Sequence, residues 1–268
     1  MNTFMNKLFI LLVFFLSVPS AFAAVKGETV RYQAGDIDLI GYIAYDDAVK
    51  GKRPGVILVP DWWGIGEFAR NRADALAKLG YTAIVMDMYG NGKHVTGPAT
   101  EASQLMNKFT SEPAVMKSRF LATRDTLNKH ETVDSRHIAA IGYSLGGLVV
   151  LEMAREGMDL AGVASLWGVI GKSDSPAKKG RVKAKVLVIN PSVDDWAPEE
   201  ALNALSSEMK NAGAEYQLIT YPNTIHGFSR PDADSKAKKD NLPIRYDAQA
   251  DKQSWNDLSA FLKTALRE

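Results

Sequence analysis

The chain has 268 residues, 46% hydrophobic and 24% charged, with 32 Lys+Arg against 31 Asp+Glu and a formal net charge of +1. This is globular composition, and it excludes a disordered, collagenous or coiled-coil chain; charge so evenly balanced also argues against a nucleic-acid-binding surface. With no cysteine, disulfides, thiol nucleophiles, thiolate metal sites and a lipidated cysteine are excluded.

The N-terminus reads as a targeting segment. Lys7 supplies positive charge, residues 8–18 are almost continuously apolar, Pro19 interrupts them, and Ala21-Phe22-Ala23 forms a small-x-small cleavage pattern. The run is shorter than the roughly 20 residues a membrane-spanning helix needs. These features predict a signal peptide over 1–23 and a single domain over 24–268. They also predict export with the periplasm favoured over the medium, and no stable membrane anchor after cleavage.

Beyond the signal, strand and helix patterns alternate. Thr29 to Tyr45 carries two alternating stretches around Gly35-Asp36, the pattern of an antiparallel hairpin. Val56 to Val59, ended by Pro60, is a short buried strand. Phe68 to Leu79 sets Phe68, Ala75 and Leu79 on one helical face, with Gly80 as its stop. Tyr81 to Met86 is the next strand and Ala114 to Leu127 the next helix. Asp134-Ser135-Arg136 turns into a strand over His137 to Tyr143. A helix over Leu145 to Arg155 and a strand over Leu160 to Trp167 follow. Strand Val186 to Ile189, helix Glu199 to Asn211, strand Tyr216 to Tyr221 and helix Asp247 to Leu266 complete the series, with Ser235 to Asp240 as a solvated loop. Repeated strands separated by helices predict one α/β domain whose mainly parallel sheet is covered on both faces.

The chemistry starts at Gly142-Tyr143-Ser144-Leu145-Gly146-Gly147, between a predicted strand and a predicted helix. That is the setting of a G-x-S-x-G nucleophile elbow, which lifts the serine hydroxyl above the sheet and offers a helix N-terminus to a developing oxyanion. A serine nucleophile needs a base, and the base an orienting carboxylate. Of the four histidines, His130 and His137 sit at element ends and read as structural, and His94 lies in a loop on the side of the serine. His226, just past the last strand, is the predicted base. The acid is expected after the strand ending at Ile189, where Asp194 and Asp195 are adjacent; adjacent side chains point apart, so one serves, and Asp194 is preferred.

With these residues in view, the chain resembles the dienelactone hydrolase family of α/β-hydrolases. The resemblance rests on Asp61-Trp62-Trp63-Gly64, on Asp87 to Lys93, on Gly142 to Gly147, on the Asp194 loop and on His226-Gly227-Phe228, with a further match from Pro243 to Trp255. It implies the α/β-hydrolase fold. It implies Ser144 as nucleophile where most members carry cysteine, Asp194 as acid, His226 as base, and the backbone N–H groups of Trp62 and Leu145 as oxyanion donors. Asp61, after Pro60, stands where the family has a glutamate after a histidine; the two departures together fit a plain serine triad that needs no thiolate switch.

Trp63, Trp167 and Trp196 fall just past strand ends, where an open α/β sheet places its ligands. They are expected to line the substrate pocket, with Tyr89, His94 and Tyr143 as further candidates and Arg245 as a possible polar contact. Neither a metal ion nor an organic cofactor is implied, because no metal-ligand spacing or dinucleotide fingerprint is present. The expectation is a serine hydrolase cleaving a small ester or lactone through an acyl-enzyme. The alternatives are other acyl-transfer chemistry on the same triad, as in a peptidase or acyltransferase, and a non-catalytic binding protein on the same fold.

Overall fold

The computed structural model describes residues 25–171 and 173–267; the expected signal segment lies outside them. Strands β1 (Val25–Ala34) and β2 (Ile37–Asp46) form the predicted hairpin, turning at Gly35-Asp36, where Gly35 has φ 59°. They are followed by β3 (Arg53–Val59), α1 (Glu67–Lys78), β4 (Thr82–Val85), α2 (Ala99–Thr110), α3 (Pro113–Lys129), β5 (Val133–Tyr143) and α4 (Leu145–Arg155). The chain ends with β6 (Gly162–Leu166), β7 (Lys185–Val193), α5 (Glu199–Ala212), β8 (Tyr216–Ile225), α6 (Ala233–Asp240) and α7 (Ala248–Ala265). No helix among the described residues is long and apolar enough to cross a membrane.

All eight strands join one sheet in the order β1-β2-β4-β3-β5-β6-β7-β8, with β2 antiparallel to both its neighbours β1 and β4 and every pair from β4 to β8 parallel. The parallel strands are continuous apolar runs because both their faces are covered. Ile57, Val59 and Ala140 face a core built with α3, α4 and α5; Val56, Leu58 and Ile141 face a second core built with α1 and α7. The strand order reverses between β3 and β5, since the chain goes from β3 outward to β4 and then returns to β5 on the other side. A crevice opens at the carboxyl ends of strands at such a switch point.

Three expectations change in the structure. Asp134 to Arg136 is not a turn ahead of the strand but part of β5, which bulges there: Pro54 pairs with Asp134 and Gly55 with Ile138. The local bend is real, and the Asp134 carboxylate stabilises it by accepting from Arg136 N at 3.1 Å. The sequence reading leaves residues 98–112 unassigned, yet α2 forms there, burying Ala99, Ala102 and Phe109 at helical spacing. Ser235 to Asp240 is helical in α6, with Ala233 as its one buried residue. Asp234 in its first turn and Lys238 and Lys239 in its last complement the helix dipole, and Asn241 ends it in the left-handed region.

At the end of β4 the chain is anchored by one buried carboxylate. Asp87 Oδ1 accepts from Tyr89 N (3.1 Å) and Gly90 N (2.8 Å), and Oδ2 from Ile40 N (2.9 Å) and Gly92 N (2.7 Å). These bonds tie the β4 loop to β2, and an unsatisfied buried donor costs about 1–3 kcal/mol. Asp87→Ala is therefore expected to destabilise the protein by about 3–5 kcal/mol in urea unfolding; a loss below about 1 kcal/mol would mean the loop is held by something else.

Candidate active site

β5 ends at Tyr143 and α4 begins at Leu145, so Ser144 alone makes the corner, with φ 52° and ψ −114°. A serine at positive φ is strained, and the surroundings hold it there. Its N–H donates to Leu166 O at 3.1 Å, and its carbonyl accepts from Gly147 N at 2.9 Å and Val169 N at 3.1 Å. The glycines are required by contact. A Cβ on Gly142 would lie 2.0 Å from Gly146 O, and one on Gly146 would lie 2.1 Å from Val59 O.

Ser144 Oγ lies 2.8 Å from His226 Nε2, and His226 Nδ1 lies 2.8 Å from Asp194 Oδ2. The histidine follows β8 directly and the aspartate follows β7 directly, so two neighbouring parallel strands deliver both to the serine. All three side chains are buried, whereas Asp195 is exposed. Asp194 Oδ1 accepts from Trp196 N at 2.9 Å, which fixes the carboxylate. The imidazole sits between two indoles, Trp196 at 4.4 Å and Trp167 edge-on at 5.1 Å between ring centroids. Trp167 is itself pinned by donating Nε1–H to Ser229 Oγ at 2.7 Å.

Because Val59 pairs with Gly142, the segment leaving β3 runs beside the serine corner. Asp61 holds that segment. It accepts from Trp63 N at 2.9 Å, its carbonyl accepts from Gly64 N at 2.9 Å, and it is ion-paired with buried Arg230, which also meets Asp232 at 2.7 Å. Trp62 O accepts from the Tyr89 hydroxyl at 2.8 Å. Burial pushes the Tyr89 phenol far above its usual range, so it stays protonated and donating. Among the described residues, neither Trp62 N–H nor Leu145 N–H donates to another protein group.

The cleft beside Ser144 has a volume of about 30 Å³ and is walled by Trp62, Trp63, Trp167 and Trp196 together with Asp61 and Arg230. Three expected wall residues lie elsewhere. Tyr89 stands behind Trp62, where its hydroxyl is used on the loop. The His94 backbone bridges Gly64, and its side chain is exposed. Tyr143 is buried between Phe68 at 5.1 Å and Trp167 at 5.6 Å, since the residue before the corner points away from the one that makes it. Arg245 donates to Asn223 O at 3.0 Å, also away from the cleft.

The sequence reading missed Met106, Val169, Ile244 and Arg230 as cleft residues. Arg230 had a usable signal: a buried Asp61 after a strand requires a cation, and Arg230 stands four residues past His226. Met106 had none, because it arrives on the unpredicted α2. Among the described residues no group of three His, Asp or Glu is arranged to hold a metal ion.

Comparison with known proteins bears on this geometry. The model of the dienelactone hydrolase family matches residues 39–266. A putative carboxymethylenebutenolidase from Yersinia pestis is 26% identical over 227 residues, covering 80% of this chain and 84% of that protein. Protein usf of Aquifex pyrophilus is 22% identical, covering 90% and 99%. Among solved structures, a dienelactone hydrolase-like promiscuous phosphotriesterase from metagenomic libraries superposes with a TM-score of 0.84 at 28% identity, covering 91% of this chain and all of that one.

Asp61→Ala would leave Arg230 buried with only the half-exposed Asp232 for a partner. Breaking a buried ion pair from one side costs about 3–5 kcal/mol. We expect a drop of that size in chemical denaturation, with the denaturant slope unchanged. Wild-type stability in this variant would show that the loop does not depend on Asp61.

Proposed function

The chain belongs to the dienelactone hydrolase family, and from that premise we propose that it is a serine hydrolase of small carboxylic esters or lactones. The observation that carries the reading is the unbroken chain of contacts from Ser144 Oγ through His226 to Asp194, each 2.8 Å long. In this mechanism His226 Nε2 takes the hydroxyl proton as Ser144 Oγ attacks the ester carbonyl carbon. Charge on the tetrahedral oxygen is met by the N–H groups of Trp62 and Leu145, which the fold holds ready and which have no competing acceptor.

His226 then returns the proton to the leaving alcohol oxygen as the carbon–oxygen bond breaks, leaving an ester on Ser144. Water attacks that ester with the same histidine as base, releasing the acid and restoring the serine. Asp194 keeps Nδ1–H pointing towards itself and stabilises the transient imidazolium. Indole walls and a narrow cleft favour a compact, apolar or aromatic acyl group. The carboxymethylenebutenolidase relative adds lactones to that class. We further propose export of the protein by its N-terminal segment, supported by Lys7, the apolar run 8–18 and the Ala21-Phe22-Ala23 pattern.

Three measurements test these readings. A fluorophosphonate probe should label Ser144, located by mass spectrometry, and His226→Ala should abolish the adduct. On a p-nitrophenyl ester, Asp194→Asn should lower kcat by about 10³–10⁴ while Asp195→Asn changes it less than about threefold. A folded wild type that takes no label would remove the serine mechanism. For export, N-terminal sequencing of the protein from a periplasmic extract should begin at Ala24, and an intact Met1 would overturn cleavage.

A further inference from the structure

A second cavity lies on the far side of the Tyr89 ring from Ser144. It encloses about 500 Å³, and it shares no lining residue with the cleft at the triad. Its walls come from the hairpin tip with Ile37, from α2 with Leu105 and Phe109, and from α3 with Val115, Ser118 and Arg119. Ile37 is one of only four large hydrophobic side chains exposed among the described residues. An exposed apolar group at the mouth of a cavity of this size is where a ligand's apolar part would be covered.

The polar feature is Arg119. Its guanidinium is partly buried, hydrogen-bonded through Nη1 to Met88 O, and placed 5.9 Å from the Phe109 ring. It makes no ion pair among the described residues. Asp87 and Glu112 act on it only at a distance, and both Asp87 oxygens are already filled by backbone N–H groups. A half-buried cation with no direct ion pair, at the wall of a cavity of mixed polar and apolar lining, leaves room for an anion that would offset its desolvation.

We propose that this cavity is a second binding site, which takes a small carboxylate with an apolar tail. Arg119 pairs with the carboxylate, for which a planar guanidinium is the matching donor, and Ile37, Leu105 and Phe109 cover the tail. Lys108 and Glu112 stand on the same rim and offset each other, which leaves the single charge of Arg119 to be matched by a monoanion. Such acids are the class that ester hydrolysis at Ser144 releases; that link rests on the proposed function, whereas binding itself does not. The bound acid rests against Tyr89, whose hydroxyl holds Trp62 O, and leaves Ser144 open.

The test is isothermal titration of the wild-type protein with 4-phenylbutyrate and with its neutral analogue 4-phenylbutanamide. The acid should bind, and the amide should bind about tenfold more weakly or not at all. Arg119→Gln should weaken the acid about tenfold, and Ser118→Trp, an exposed position that fills the cavity from α3, should do the same without touching the arginine. Circular dichroism checks that both variants are folded. Saturating 4-phenylbutyrate should leave fluorophosphonate labelling of Ser144 within about twofold of its rate. No heat of binding up to about 10 mM acid, wild-type affinity in either variant, or labelling slowed in proportion to occupancy would each overturn the site. Absence of labelling altogether would count against the serine mechanism, and the titration would still decide the cavity.

Discussion

The contact on which the rest of this molecule depends is backbone against backbone. α4 packs its first turn onto the end of β3 so closely that a methyl group on Gly146 would lie 2.1 Å from Val59 O and 2.6 Å from Pro60 O. That approach requires glycine at both 142 and 146, and Ser144 between them takes positive φ. It also brings the segment 60–64 alongside the serine. Strain at the corner is sustained because β6 supplies a carbonyl to Ser144 N and α4 supplies a donor to its oxygen.

Around that corner the same small device recurs three times. Asp61, Asp87 and Asp194 each stand just past a parallel strand and each accept from the backbone N–H two residues on, at Trp63, Tyr89 and Trp196. The turn an aspartate makes with its own downstream backbone is local chemistry. What differs is the second oxygen. In Asp87 it goes to backbone N–H groups and fixes a loop; in Asp61 it goes to Arg230 and fixes the segment after β3; in Asp194 it goes to His226. The aromatic residue two positions on then either walls the cleft, as Trp63 and Trp196 do, or braces it from behind, as Tyr89 does.

Strand and helix patterns of the parallel core were readable because each parallel strand is apolar on both faces and each long helix carries a wide apolar stripe. The limits of that reading lie at the periphery. α2 buries three residues and α6 one. Both matter to function: α2 brings Met106 to the cleft and Leu105 to the neighbouring cavity, while Lys236 of α6 lies over the Trp63 ring at 3.9 Å. Loop aromatics past strand ends were sorted only by direction, which Tyr89 and Tyr143 show cannot be read from position alone.

The sequence by itself determined the α/β class, the serine corner with its obligatory glycines, and the order serine, aspartate, histidine along the chain, because these depend on local backbone geometry and on periodicity. It left open which of two adjacent aspartates meets the histidine, what partners Asp61, and which aromatic side chains reach the cleft. Those were decided by the register of β7 against β8 and of β3 against β5. Residues as far apart as Asp61 and Arg230 become neighbours only when the six parallel strands β3 to β8 set their carboxyl ends along one edge of the sheet.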